Sequence, residues 1–222
     1  MLFRRVIETW FDDAYKEYFY TREPFARYVD MGDISEQLAL KERMHCKSFD
    51  WFMKEVAYDI FDKYPRLPAN EYWGELRNEA SNLCLDTHGR HPPEKVSDKI
   101  VIHTTHLFNN PPFVFKISAS QCHGYGGNQM MRLNTEGQLT SGEWCNDKDG
   151  SGSTLTVQWC TMGTTNGPWK YIPEQKQMYH TGIKRCLGLE PESGRPILRP
   201  CDNNNSYHKW TWKQIKPYWA KT

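Results

Sequence analysis

The chain has 222 residues, with 28 Lys and Arg set against 27 Asp and Glu for a net charge of +1. A main partner among nucleic acids or anionic membranes is excluded on this balance, because phosphate binding needs clustered cations and here the two signs interleave. No run of about 18 apolar residues occurs, so no stretch has the length and apolarity of a membrane-spanning helix.

Residues 4 to about 60 read as helical. Val6, Ile7, Trp10, Phe11, Tyr15, Tyr18 and Phe19 recur at three- and four-residue steps, the spacing of one buried helix face. Pro24 should stop that helix. Asp33 and Glu36 form a capping-box-like start to a second helix bearing Leu38, Leu40 and Met44. Ser48 can cap a third, with Phe49, Phe52, Met53 and Val56 on one side. Three short helices with this much aromatic surface, Trp10, Tyr15 and Phe19 foremost, are expected to pack on something larger.

Pro65 and Pro68 break the helical pattern, which places a linker over 64–71 between a helical segment, 1–63, and a second domain, 72–217. In the second domain the texture turns to short strand-like runs punctuated by Gly, Asn and Asp. The start, Met1-Leu2-Phe3-Arg4-Arg5, is too short in apolar residues for a signal peptide. The cysteines nonetheless look oxidised, so a targeting segment upstream of Met1 is expected.

The cysteines reveal an internal repeat. Cys84-Leu85-Asp86, Cys145-Asn146-Asp147 and Cys186-Leu187-Gly188 share a frame, and each is followed by a second cysteine: Cys122, Cys160 and Cys201. The units close on Asn128-Gln129-Met130-Met131, Asn166-Gly167-Pro168-Trp169 and Tyr207-His208-Lys209-Trp210. Cys145 lies 41 residues before Cys186, and both later cysteine pairs are 15 apart. Units of about 40 residues are too small to bury a face alone, so three of them are expected to share one core in a mainly β fold, the β-trefoil. The pairs Cys84–Cys122, Cys145–Cys160 and Cys186–Cys201 would each staple one unit; a loop of 15 residues gains about 3 kcal/mol on the chain-entropy view. Zinc fits poorly, because Cys84, His88 and His91 lack a fourth ligand and no C-x-x-C pair exists. Trp169 and Trp210 are expected in the core. High aromatic content, with nine Trp and twelve Tyr, suits both such a core and a carbohydrate surface.

These residues resemble the ricin B-type lectin domain of the polypeptide N-acetylgalactosaminyltransferases, Golgi enzymes that begin mucin-type O-glycosylation. The stretch from Trp10 to Tyr20, WFDDAYKEYFY, looks like the segment closing that family's catalytic domain. Gly32-Asp33-Ile34-Ser35-Glu36, Cys46-Lys47-Ser48-Phe49-Asp50-Trp51-Phe52, Trp73-Gly74-Glu75-Leu76-Arg77-Asn78 and the run from Cys122 to Gln129 follow in the family's order. The resemblance implies a β-trefoil lectin preceded by a short α-helical remnant of a GT-A-type glycosyltransferase domain. It pairs Cys46 with a cysteine of the absent upstream region. The family's Mn2+ site and donor-sugar site also lie upstream, so the resemblance implies no metal or cofactor in this chain and no transfer activity on its own. It further implies a Golgi-lumen location, with the parent's type II membrane anchor outside this chain.

A sugar-binding trefoil needs a carboxylate for two adjacent hydroxyls, an amide for a further position and an aromatic face. In the first repeat these map to Asp86 and Asn128, and the family pattern adds His123. The aromatic position falls on Ser120, so Tyr125 or Phe115 would have to substitute. The other reading of Asp86 is a turn-forming Asp that caps its own backbone. The second repeat keeps Asp147 and Asn166 as a candidate second site, with Gln158 at the aromatic position. The third has Gly188 and Tyr207 instead and reads as structural. The first repeat also carries an excess near 98–116, either a surface insertion or non-homologous sequence. Asn204-Asn205-Ser206 is an N-glycosylation acceptor pattern.

The expected function is binding of GalNAc or galactose-type sugars, as on GalNAc-bearing glycopeptides, in service of a missing upstream catalytic domain. The alternative is a stand-alone or non-functional truncated lectin-like module.

Overall fold

A computed structural model describes residues 2–63, 66–90, 117–160 and 169–215. The expected insert near 98–116, Phe115 and Asn166 lie outside the described residues. The chain divides into two compact units, Met1–Asn70 with Gln214–Thr222, and Glu71–Lys213.

The first unit is helical: α1 Leu2–Trp10, α2 Asp13–Arg22, a 3-10 turn Pro24–Tyr28, α3 Ser35–Arg43, α4 Phe49–Glu55 and α5 Ile60–Lys63. The apolar spacing from Val6 to Phe19 predicted one continuous face, but the helix breaks at Asp12. Asp12 is extended (φ −72°, ψ 153°), and its carboxylate accepts the backbone N–H of Asp50 at 2.7 Å, a tie to the start of α4 that a continuous helix would forgo. Ser48 caps α4 as expected, its Oγ accepting Trp51 N–H at 3.0 Å. The capping box at Asp33 and Glu36 does not form. Asp33 instead accepts both the N–H (2.9 Å) and the hydroxyl (2.5 Å) of Ser35, leaving Ile34 at the cap position. Its carboxylate therefore closes a turn two residues on rather than reaching into the helix.

Ile7, Tyr20 and Ala26 form a small core with Phe11 and Phe19 against it. Tyr15, expected on a buried face, finds its cover in α4: its ring meets Phe49 edge-on at 5.3 Å and its hydroxyl donates to Asp50 at 2.8 Å. Trp10, Leu38, Leu40, Met44, Trp51 and Phe52 are exposed.

Among the described residues the second unit contains twelve strands, four per repeat. The first repeat supplies β1 Asn70–Asn78, β2 Leu83–Asp86, β3 Ser118–Gln121 and β4 Met131–Asn134. The second supplies β5 Leu139–Ser141, β6 Trp144–Lys148, β7 Leu155–Trp159 and β8 Trp169–Ile172, and the third β9 Gln177–His180, β10 Arg185–Leu189, β11 Pro196–Arg199 and β12 Trp210–Lys213. Within each repeat the middle two strands form an antiparallel hairpin: β2 with β3, β6 with β7, β10 with β11. The outer strands join neighbours, β4 with β5, β8 with β9 and β12 with β1. This is the β-trefoil.

Leu76, Leu85, Met131, Leu133, Leu139, Leu155, Met178, Leu187, Leu198 and Trp210 fill one core shared by the three repeats. Trp169 and Trp210 lock it in the same way. Each indole N–H donates to the carbonyl just before the carboxylate position of its repeat, Asn146 at 3.0 Å and Leu187 at 2.9 Å. Met131 occupies this place in the first repeat. The tryptophans are thus core and not platform, and each holds the backbone on which the next side chain is presented. The three cysteine pairs are joined, with Cα separations of 5.1, 4.9 and 4.9 Å.

Candidate carbohydrate site

Asp86 ends β2, where the chain turns through His88 (φ 52°) and Gly89 (φ 66°). The aspartate is buried, and its two oxygens are spoken for. Oδ1 accepts His88 N–H at 2.7 Å and the Asn128 amide at 2.5 Å. Oδ2 accepts the Gln129 amide at 2.9 Å and the hydroxyl of Ser120. Burial pushes the Asp86 carboxyl upward, but the donors from Ser120, Gln129, His88 and Asn128 outweigh it and hold the group below its ordinary value, so it stays ionised. The turn-forming reading of Asp86 therefore holds, since the carboxylate caps its own turn through His88.

Gln129 is the organiser that sequence reading left unassigned. Fully buried in the 3-10 turn Gly127–Gln129, it reaches Asp86, the Ser120 hydroxyl (2.9 Å) and the Gln121 carbonyl (3.0 Å) with its amide nitrogen. Its carbonyl oxygen accepts His123 N–H at 3.1 Å. The signal was in plain view, as the Gln in Asn128-Gln129-Met130-Met131. Asn128 is further pinned by its own carbonyl, which accepts Thr87 N–H at 3.1 Å.

His123 does not bond Asp86. Its Nδ1 accepts Tyr125 N–H at 3.1 Å, and the two rings stack with centroids 5.7 Å apart. Both are exposed, Tyr125 at 68%. They form an aromatic rim in the same loop as Asn128, while the aromatic position itself, Ser120, has become a hydroxyl donor to the carboxylate.

In the second repeat Asp147 occupies the matching place on β6. Its Oδ1 accepts Lys148 N–H at 2.6 Å and lies 2.9 Å from His180 Nε2. Gln158 turns away, donating to the Lys148 carbonyl at 2.7 Å. In the third repeat the carboxylate position is closed. His208, equivalent to Gln129, lies against Gly188 so closely that a Cβ there would sit 2.7 Å from its Cδ2. Asn204 is exposed in the loop before the 3-10 turn Ser206–His208. Among the described residues one group of potential metal ligands exists, Glu75 with Cys84 and Cys122, but both sulfurs are already bonded to each other.

This geometry meets its relatives directly. Residues 108–210 match the family described as the ricin-type beta-trefoil lectin domain. Along 98% of its length the chain is 50% identical to N-acetylgalactosaminyltransferase 7 of Drosophila melanogaster, covering 33% of that protein. The human enzyme of the same name is 32% identical over 95% of the chain and 29% of its own length. The chain is similar to these N-acetylgalactosaminyltransferases along nearly its whole length, and its trefoil repeats lie largely in the part that matches the ricin-type lectin family. A crystal structure of GalNAc-T7 with UDP, GalNAc and Mn2+ superposes with a TM-score of 0.80 at 30% identity, covering 96% of this chain and 36% of that one. The chain thus spans about a third of the relatives it matches. No helix among the described residues is long and apolar enough to cross a membrane.

Proposed function

We propose that the trefoil binds a galactose-type sugar, GalNAc carried on glycopeptides being the ligand that suits a relative of these transferases. The observation that carries this reading is the repeated placement of an aspartate, Asp86 and Asp147, at the end of a hairpin strand with its carboxylate oriented by a backbone N–H and a side-chain donor. An ionised acceptor held in this way discriminates sugars by hydroxyl geometry, since a sugar that leaves it unpaired loses about 1–3 kcal/mol. In the first repeat Asn128 would share the carboxylate's task at the next hydroxyl. His123 and Tyr125 would offer the apolar face that Ser120 lacks. Asn166 would serve Asp147 as Asn128 serves Asp86.

In a longer protein the lectin would steer a catalytic domain toward Ser or Thr near existing GalNAc during mucin-type O-glycosylation, in the Golgi lumen. The exposed Trp10, Leu38, Leu40, Met44, Trp51 and Phe52 suit burial against that domain, and the half-exposed Cys46 suits a disulfide to it.

The test is titration with GalNAc and with glucose, on the wild type and on Asp86→Ala and Asp147→Ala. Preferential GalNAc binding that falls in either variant supports the reading. Equal binding of the two sugars, or none, refutes it.

A further inference from the structure

The second-repeat carboxylate lacks the support that the first enjoys. Asp86 is gripped by Gln129 from its own repeat. The second repeat has Gly167 in that motif position, a residue with no side chain to donate. Its carboxylate is gripped all the same, by a residue from the next repeat.

His180 ends β9, 2% exposed, with Nε2 2.9 Å from Asp147 Oδ1. Its other nitrogen, Nδ1, accepts the N–H of Ile183 at 3.3 Å. A nitrogen that accepts from a backbone N–H carries no proton in the neutral ring, so the proton sits on Nε2 and points at Asp147. The edge-to-face contact with Trp169, centroids 4.9 Å apart, holds the ring plane. Trp169 is the residue whose indole also fixes the Asn146 carbonyl, one position before Asp147. Together with Lys148 N–H, His180 occupies Oδ1.

We infer that His180 is the positioning residue of the second-repeat sugar site: it donates from Nε2 to Asp147 Oδ1, replaces the absent glutamine, and so orients the carboxylate that takes a sugar hydroxyl. The inference rests on the reading that the trefoil takes galactose-type sugars. It adds that the second site is assembled from two repeats, so its integrity depends on closure between β8 and β9.

The experiment uses the whole 222-residue chain labelled with 15N, titrated with free GalNAc. The Lys148 and Ile183 amides report the second site and the His88 amide the first, since each bonds the group in question. His180→Phe keeps the ring against Trp169 but removes the donor. It should weaken the Lys148 titration roughly tenfold, the value of one hydrogen bond to a charged group, with the His88 titration unchanged. His180→Gln, whose amide reaches about as far as Nε2, should restore binding to within about threefold. His180→Asn is too short and should not, a contrast that holds even if His180→Phe fails to fold. Wild-type affinity at Lys148 in His180→Phe, or equal behaviour of the Gln and Asn variants, overturns the inference. So does a Lys148 amide that never responds while His88 does, an outcome that leaves first-repeat binding standing. Silence at both amides refutes the lectin reading with it.

Discussion

Gly188→Ala should destabilise the trefoil, because His208 fills the space beside Gly188 in the third repeat. The added Cβ would lie 2.7 Å from Cδ2 and 3.0 Å from Nε2 of His208, closer than van der Waals contact permits. His208 cannot swing away, because it is 5% exposed and sits in a 3-10 turn fixed by His208 N–H to the Asn205 carbonyl at 3.0 Å. Overpacking of this kind costs about 1–3 kcal/mol. Replacing glycine in a strand recovers about 0.4–1 kcal/mol by restricting the unfolded chain. The net loss is about 1–2 kcal/mol, or roughly 2–8 °C in melting temperature for a domain of this size. The assay is thermal unfolding followed by far-UV circular dichroism in two backgrounds, wild type and His208→Ala. In the second background the clash is gone, so the same substitution should be neutral or stabilising by up to about 1 kcal/mol. An equal loss in both backgrounds would refute the account. The functional corollary is that Gly188→Asp alone cannot rebuild a sugar site, since the carboxylate would need the volume His208 fills; it requires His208→Gln as well.

Other consequences follow from the same contacts. His208 is held below the ordinary histidine value by burial, partly offset by Asp202, so it folds neutral. The stability it contributes is full above the unfolded value near 6.5 and is lost as pH falls through the folded one; urea midpoints should drop below about pH 6.5, and less so in His208→Gln. Asp86 is held below its ordinary 3.8, so the stability it adds is present above that pH and disappears as pH falls through its folded value; Asp86→Asn should flatten acid unfolding in that range, and an unchanged profile would count against the hydrogen-bond account. Cys186→Ser with Cys201→Ser opens a 15-residue loop and should cost about 3 kcal/mol by chain entropy, read as a lower denaturation midpoint. Ser48→Ala removes the cap on α4 and should cost about 1 kcal/mol, seen as reduced protection of the Trp51 amide in hydrogen exchange.

Much of the architecture was legible in the chain because its signals are local and repeated. The cysteine frame and closing motifs recur at fixed spacing, and only a threefold arrangement lets units of that size share a core. Ser48 was readable as a cap because capping spans three residues. The break at Asp12 was not readable, since what ends the helix is an amide 38 residues away. Tyr15 was readable as buried, but not what buries it, since its cover comes from Phe49 and Asp50. At the site, the motif nominated Asp86, Asn128 and Asp147 by position alone. Tertiary structure decided that Ser120 had turned from a missing stacking face into a donor, and that His123 belongs to a rim with Tyr125 instead of bonding the carboxylate. It decided as well that Asp147 is held by His180, 33 residues on and in another repeat. Sequence determines which side chains each repeat can offer. How each carboxylate is held depends on donors delivered across the barrel, and those are set by strand pairing that no local pattern encodes.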